Sequence, residues 1–178
     1  MRIVLVFLFI ASSAVAQTQP TSRQSTNSCG PSEVTFHVKL DKSHHSIPQP
    51  DSGKALVVVI EVFEQTRWGY VTPTVRVGLD GKWIGANRGS SYFFFSVDPG
   101  EHHLCASWQS PDELISSQYS LTNFLANPGA VYFFRAEPNS EAVSQGGEVW
   151  SRDLELVNPD EAKYLVANSR FSVSTPRM

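Results

Sequence analysis

The sequence predicts an all-β chain, a single antiparallel β-sandwich of about seven or eight strands with one short C-terminal helix. Three observations lead there. Asp80-Gly81 sits between two alternating runs, the strongest short-range sign of a hairpin. Residues 55–63 and 92–95 are nearly unbroken β-branched or aromatic runs, as expected of strands covered on both faces. Asn158-Pro159-Asp160-Glu161 is a helix start late in the chain, with Asn as N-cap, Pro at the first helical position and acids where the helix dipole favours them. A barrel is the alternative that periodicity leaves open.

Residues 1–16 read as a secretory signal peptide, with Arg2, an apolar run over 3–10 and Ala14-Val15-Ala16 as the cleavage signal near Ala16. The run is too short to span a bilayer. The first cysteine is Cys29, so no lipid-anchoring cysteine follows the cleavage point. The expectation is a secreted or periplasmic protein with no transmembrane segment after cleavage. Residues 17–28 are polar and read as a disordered leader, and residues 29–175 as a single domain. The formal net charge of -3, with both signs scattered, argues against a nucleic-acid or anionic-membrane surface, since either requires a basic patch or stripe.

Val34, Phe36, Val38 and Leu40 alternate with polar residues, a first strand with His37 on its wet face. A loop over 41–53 leads into the buried run at 55–63, and residues 65–72, including Trp68-Gly69-Tyr70, form an irregular crossing. In the first hairpin a two-residue type I′ turn pairs Leu79 with Lys82, Gly78 with Trp83, Val77 with Ile84, Arg76 with Gly85 and Val75 with Ala86. That register puts Val75, Val77, Leu79, Ile84 and Ala86 on the core face. Trp83 then lies over cross-strand glycines on the other face, with Arg76 stacked on it. A second hairpin is expected over 91–108 around Asp98-Pro99-Gly100, with Leu104, Ala106 and Trp108 on one face and His103, Cys105 and Ser107 on the other. Pro-Gly turns splay strands, so its loop length and the phenylalanines facing Leu104 stay open.

Residues 114–125 are ambiguous between strand and short helix. A turn at Asn127-Pro128-Gly129 precedes a dense strand over 131–137, and residues 138–147 read as a polar, mobile connection. Trp150, Arg152, Leu154 and Leu156 share a face of the next strand. The helix then ends near Asn168, and residues 171–176 are a short strand or an extended tail.

At this point the chain resembles a known family. Residues 53–57 (GKALV), 77–85 (VGLDGKWIG), 91–104 (SYFFFSVDPGEHHL) and 131–135 (VYFFR) look like the bacterial domain of unknown function numbered twenty-eight forty-six. The resemblance spans roughly residues 29–169, and Phe133 stands where many relatives carry a second tyrosine. It implies a small exported β-sandwich of the cell envelope without an established activity. The hairpin pair is also similar to PEGA-type surface domains, in fold alone.

Few residues offer chemistry. The 2 cysteines, Cys29 and Cys105, are expected to form a disulfide in an oxidising compartment. The alternative is a reactive Cys105 with His103 as its base, two residues away on one strand face. His102 and His103 point to opposite faces of a strand and cannot share an ion, whereas His44-His45 could join His37 and Asp41. No spaced ligand motif is present, so neither a metal nor another cofactor is expected. No catalytic motif appears, and no catalytic residue is assigned. Glu61, Glu64, Asp112 and Glu113 are loop-proximal acids that a hydrolase, carbohydrate-active or otherwise, would use if two faced each other across a cleft. Trp68, Tyr70 and Trp108 form a possible binding platform. The sequence therefore favours a non-enzymatic binding or structural module, its partner an envelope protein or a cell-surface glycan. A hydrolase or a small-ligand or metal binder is the alternative.

Overall fold

Apolar alternation and β-branched runs translate into a chain that is mostly strand. The computed structural model describes residues 29–43, 46–63, 72, 74–111, 116–143 and 147–177. The predicted signal peptide and leader lie outside these, as do His44, His45, Glu64, Trp68, Tyr70, Asp112 and Glu113. The strands are β1 (Thr35–Asp41), β2 (Ala55–Glu61), β3 (Thr74–Leu79), β4 (Lys82–Arg88), β5 (Ser91–Val97), β6 (Gly100–Trp108), β7 (Tyr119–Ala126), β8 (Val131–Val143), β9 (Gly147–Val157) and β10 (Arg170–Arg177), with helix α1 (Pro159–Ala167) before the last. They form a six-stranded sheet, β1-β10-β5-β2-β8-β9, and a four-stranded sheet, β4-β3-β6-β7.

Both sheets feed one apolar core. Val57, Val59, Phe93 and Phe134 come from the six-stranded sheet, and Val75, Val77, Leu104 and Ala106 from the four-stranded one. Every residue of β2 is buried, as its composition predicts. Its odd-numbered apolar residues face that core, and Leu56, Val58 and Ile60 face a second cluster with Ala162 and Val166 of α1. Tyr92 and Phe94 join the helix side, while Phe93 and Phe95 join Leu104. The aromatic run is thus split between two hydrophobic layers.

The expectation of antiparallel pairing throughout is corrected. β8 runs parallel to β2, and β10 runs parallel to β5 over Arg170 and Phe171. Between β2 and β8 the chain visits the other sheet twice, and strand direction on return follows those crossings rather than a tight turn. The expected hairpin over 91–108 is one of the crossings. β5 pairs with β2 and β10, whereas β6 pairs with β3 and β7. Pro99 brings no N–H to a ladder, and Gly100 at φ 142° takes a conformation only glycine adopts readily, so the chain turns a corner between sheets. The similarity to a pair of successive hairpins therefore does not extend to strand pairing.

The first hairpin forms with its predicted turn, Asp80 at φ 49° and Gly81 at φ 79°. Its register slips by one residue. Gly78 pairs with Trp83, but Val77 pairs with Gly85 and Arg76 with Ala86, leaving Ile84 as a bulge. Ala86 consequently packs with Phe36, Val38 and Trp83 rather than with the main core. Gly85 faces Phe93, whose ring lies 2.7 Å from where a Cβ would be.

Among the described residues ten strands form where about seven or eight were expected, because both ambiguous segments are strands. β7 takes up residues 119–126, and β10 inserts between β1 and β5 rather than trailing as a tail. Within the stretch 138–147, expected to be a mobile connection, residues 138–143 and 147 instead belong to β8 and β9, which pair from Phe133↔Val157 out to Val143↔Gly147. β10 also joins the sheets at one side: the Ala86 N–H donates to Ser174 Oγ, and Ser172 Oγ–H donates to the Ala86 carbonyl.

The helix starts as its sequence dictates, with Asn158 Oδ1 accepting from the N–H groups of Asp160 and Glu161. Arg135 of β8 ties α1 to the sheet, pairing with Glu161 at 2.8 Å, with Glu155 of β9 and with Glu137 of its own strand. Burial alone would lower the Arg135 guanidinium, but these three carboxylates outweigh it and hold it above its ordinary value. Replacing Asn158 by Ala is expected to cost about 1 kcal/mol, read as a shift in urea midpoint at unchanged slope.

Candidate functional site

The disulfide anchors a strap. Cys29 and Cys105 are bonded at 2.00 Å, both buried, and no cysteine is free. A bonded Cys105 has no thiolate to offer, so the Cys105–His103 alternative does not apply. The segment after Cys29 lies across the outer face of the four-stranded sheet. Trp83 Nε1–H donates to the Pro31 carbonyl at 2.7 Å, and Arg76 donates to the carbonyls of Ser32 and Val34. The Arg76 guanidinium sits 4.4 Å over the Trp83 ring, as the pattern predicts. The glycines differ from expectation: the indole lies against Gly30 of the strap, while Gly78 is covered by the Cys29 carbonyl and Cys105 Sγ. These aromatic and cationic groups are occupied in holding the strap.

The histidines do not gather. His37 is exposed on β1, as expected. His102 and His103 diverge around a common acid: Asp80 Oδ2 lies 2.7 Å from His102 Nδ1, and Asp80 Oδ1 accepts from the His103 backbone N–H at 2.8 Å. Among the described residues no group of three or more His, Cys, Asp or Glu side chains could hold a metal ion. Of the acids considered for hydrolysis, Glu61 closes β2 and is fully buried, with Ser91 and Ala136 opposite it in register.

Of the aromatic platform, Trp108 alone falls among the described residues. It ends β6 opposite Val75 and is partly buried. The same end of the core holds Asn87, whose Nδ2–H donates to the Val59 carbonyl and so joins the two sheets. Nearby, the Ser90 hydroxyl donates to the Phe63 carbonyl and the Ser91 hydroxyl accepts from the Arg88 N–H. These contacts fasten strand ends.

A concave surface lies on the opposite side of the six-stranded sheet. A cleft of about 520 Å³ opens between α1 and residues 47–49, with Val131 and Phe133 of β8 as its floor and Val166 and Ala167 as one wall. Ile47 and Pro48 form the other wall, and Lys163 and Gln49 stand at the rim. Its size is that of ordinary ligand sites, and its lining is apolar with a few polar groups, the usual pattern of a recognition cleft. Lys163 is the one ionisable side chain among the described residues that line it. Sequence reasoning missed it because its walls come from segments more than a hundred residues apart, neither with a motif. The only sequence signal was Phe133, an aromatic in a strand that the helix covers incompletely.

Among the described residues no helix is long and apolar enough to cross a membrane. No protein-family model matches the chain, and no curated protein or solved structure is similar to it at a significant level.

Proposed function

We propose that this protein is an exported β-sandwich, secreted or periplasmic, that acts as a non-enzymatic binding module of the cell envelope. The cleft between α1 and residues 47–49 receives an apolar side chain of a partner protein. One observation carries this: the cleft is open, close to 520 Å³, and lined mainly by Ile47, Pro48, Val131, Phe133, Val166 and Ala167. A sugar would need hydrogen-bonding groups along the walls, so an envelope protein fits this lining better than a glycan. The disulfide supports export, since such bonds persist in oxidising compartments. The two sheets sharing one core support the sandwich. The resemblance to the exported domain of unknown function belongs to the same reading.

The test is site-specific photocrosslinking in the native envelope. A photoreactive residue at Lys163, on the rim, is expected to give a discrete adduct, and one at exposed Lys39 on β1 is not. Ala167→Arg should abolish the adduct while preserving stability, because Ala167 is exposed and a cation in the last helical turn suits the dipole. Equal labelling from both positions, or an adduct indifferent to Ala167→Arg, would count against the cleft.

A further inference from the structure

We propose that His102 is a proton-dependent clasp, closed when its ring carries two protons, that holds the sheet-to-sheet corner at Asp98 onto the β3–β4 turn at Asp80. The geometry requires both protons. His102 Nδ1 lies 2.7 Å from an Asp80 carboxylate oxygen, and Nε2 lies 2.8 Å from the Asp98 carbonyl oxygen. An ionised carboxylate and a carbonyl only accept, so each ring nitrogen must donate. The neutral ring has one N–H. Whichever tautomer forms, a lone pair then faces an oxygen and one of the two contacts fails.

The surroundings make this a junction. The ring is largely covered, with 14% of the side chain exposed, and packs 5.6 Å from Phe124 of β7. Phe124 in turn contacts Tyr132 and Phe134 of β8. The clasp therefore sits where both sheets and the corner between them meet. The charged and titratable groups around it are Asp80 from the β3–β4 turn, Asp98 from the corner with Lys54 paired to it at 3.3 Å, and Tyr132 behind Phe124. On its own strand its neighbours are Glu101 and His103, whose Nδ1 is 3.9 Å from Asp80.

Burial alone would lower the His102 imidazolium, but the Asp98 carbonyl and the Asp80 carboxylate outweigh it and hold it above the ordinary histidine value. Burial would likewise raise the Asp80 carboxyl, but the His103 N–H and the two histidine rings hold it below the ordinary aspartate value. A raised folded-state value on His102 means its contribution is complete below the unfolded histidine range and disappears as pH rises through the raised value. A lowered value on Asp80 means its contribution is present above the unfolded aspartate range and disappears as pH falls through the lowered value. The clasp is closed between these limits and opens as pH climbs past the His102 titration. An exported protein meeting mildly acidic and alkaline surroundings would thus have a firm corner in the first and a loosened one in the second.

The experiment is an NMR titration of the oxidised full domain, following histidine ring nitrogens and the exchange protection of the Asp80 amide, which donates to the His103 carbonyl. His102 is expected to carry protons on both nitrogens at pH 6 and to titrate above the ordinary histidine value. After correction for base-catalysed exchange, Asp80 protection should fall roughly tenfold across that titration, about the worth of one charge-assisted hydrogen bond. Asp80→Asn, tolerated at this positive φ because Asn readily adopts it, should lower the His102 midpoint and remove the pH dependence of protection. Asp160→Asn, on α1, should change neither. A single protonated nitrogen at pH 6, or protection that stays level through the His102 titration, would overturn the proposal.

Discussion

Removing the disulfide by replacing Cys29 and Cys105 together with Ala is expected to lower the unfolding free energy by about 4 kcal/mol. The bond closes a loop with a sequence separation of 76 residues, and in the chain-entropy account a loop of that length strongly restricts the unfolded ensemble. The folded state loses little packing, because the strap keeps its bonds from Trp83 to Pro31 and from Arg76 to Ser32 and Val34. The loss should therefore appear mainly through the unfolded chain, as a lower guanidinium midpoint. Reducing the wild-type protein should reproduce it, and the double variant should be insensitive to reductant. A loss below about 1 kcal/mol would mean that the strap contacts, worth that much on their own, and not the bond, anchor the segment.

The second large effect is expected at Gly78. A Cβ there would lie 2.4 Å from the Cys29 carbonyl oxygen and 2.9 Å from Cys105 Sγ, and neither is the free end of a flexible side chain. Gly78→Ala must therefore push the strap off the sheet or distort β3, and should cost about 3 kcal/mol, at the upper end for overpacking. Its diagnostic feature is coupling. In the cysteine-free background the strap can lift, so the same substitution should cost clearly less, and a double-mutant cycle by equilibrium denaturation reads the difference. Equal costs in both backgrounds would show that the clash is with the strand rather than with the strap.

Much of the fold was legible locally because its signals are local. The Asp80-Gly81 turn, the buried run of β2, the alternation of β1 and the capped start of α1 each depend on residues close together in sequence. The Arg76–Trp83 stack was legible for the same reason, one hairpin holding both residues. The bulge at Ile84 was not. Beside it Gly85 meets Phe93, a residue of the other sheet that no hairpin rule includes. Nor was the corner after β5, because alternation shows which residues of a strand are buried and not which strand lies beside it. The candidate cleft shares that cause: Lys163 and Ala167 meet Ile47 only once α1 has docked across the six-stranded sheet.

By itself the sequence determined the β-rich class, the single C-terminal helix and the cysteine pair, since periodicity, capping residues and the count of 2 cysteines are properties of the chain as written. Only the tertiary structure decided that β10 inserts between β1 and β5, that β2 and β8 run parallel, and that His102 bridges Asp80 and Asp98. Each of these joins segments that meet only when the two sheets close on one core. Burial of apolar surface drives that closure and has no direction of its own, so it selects partners by shape and volume across the whole molecule rather than by any local pattern.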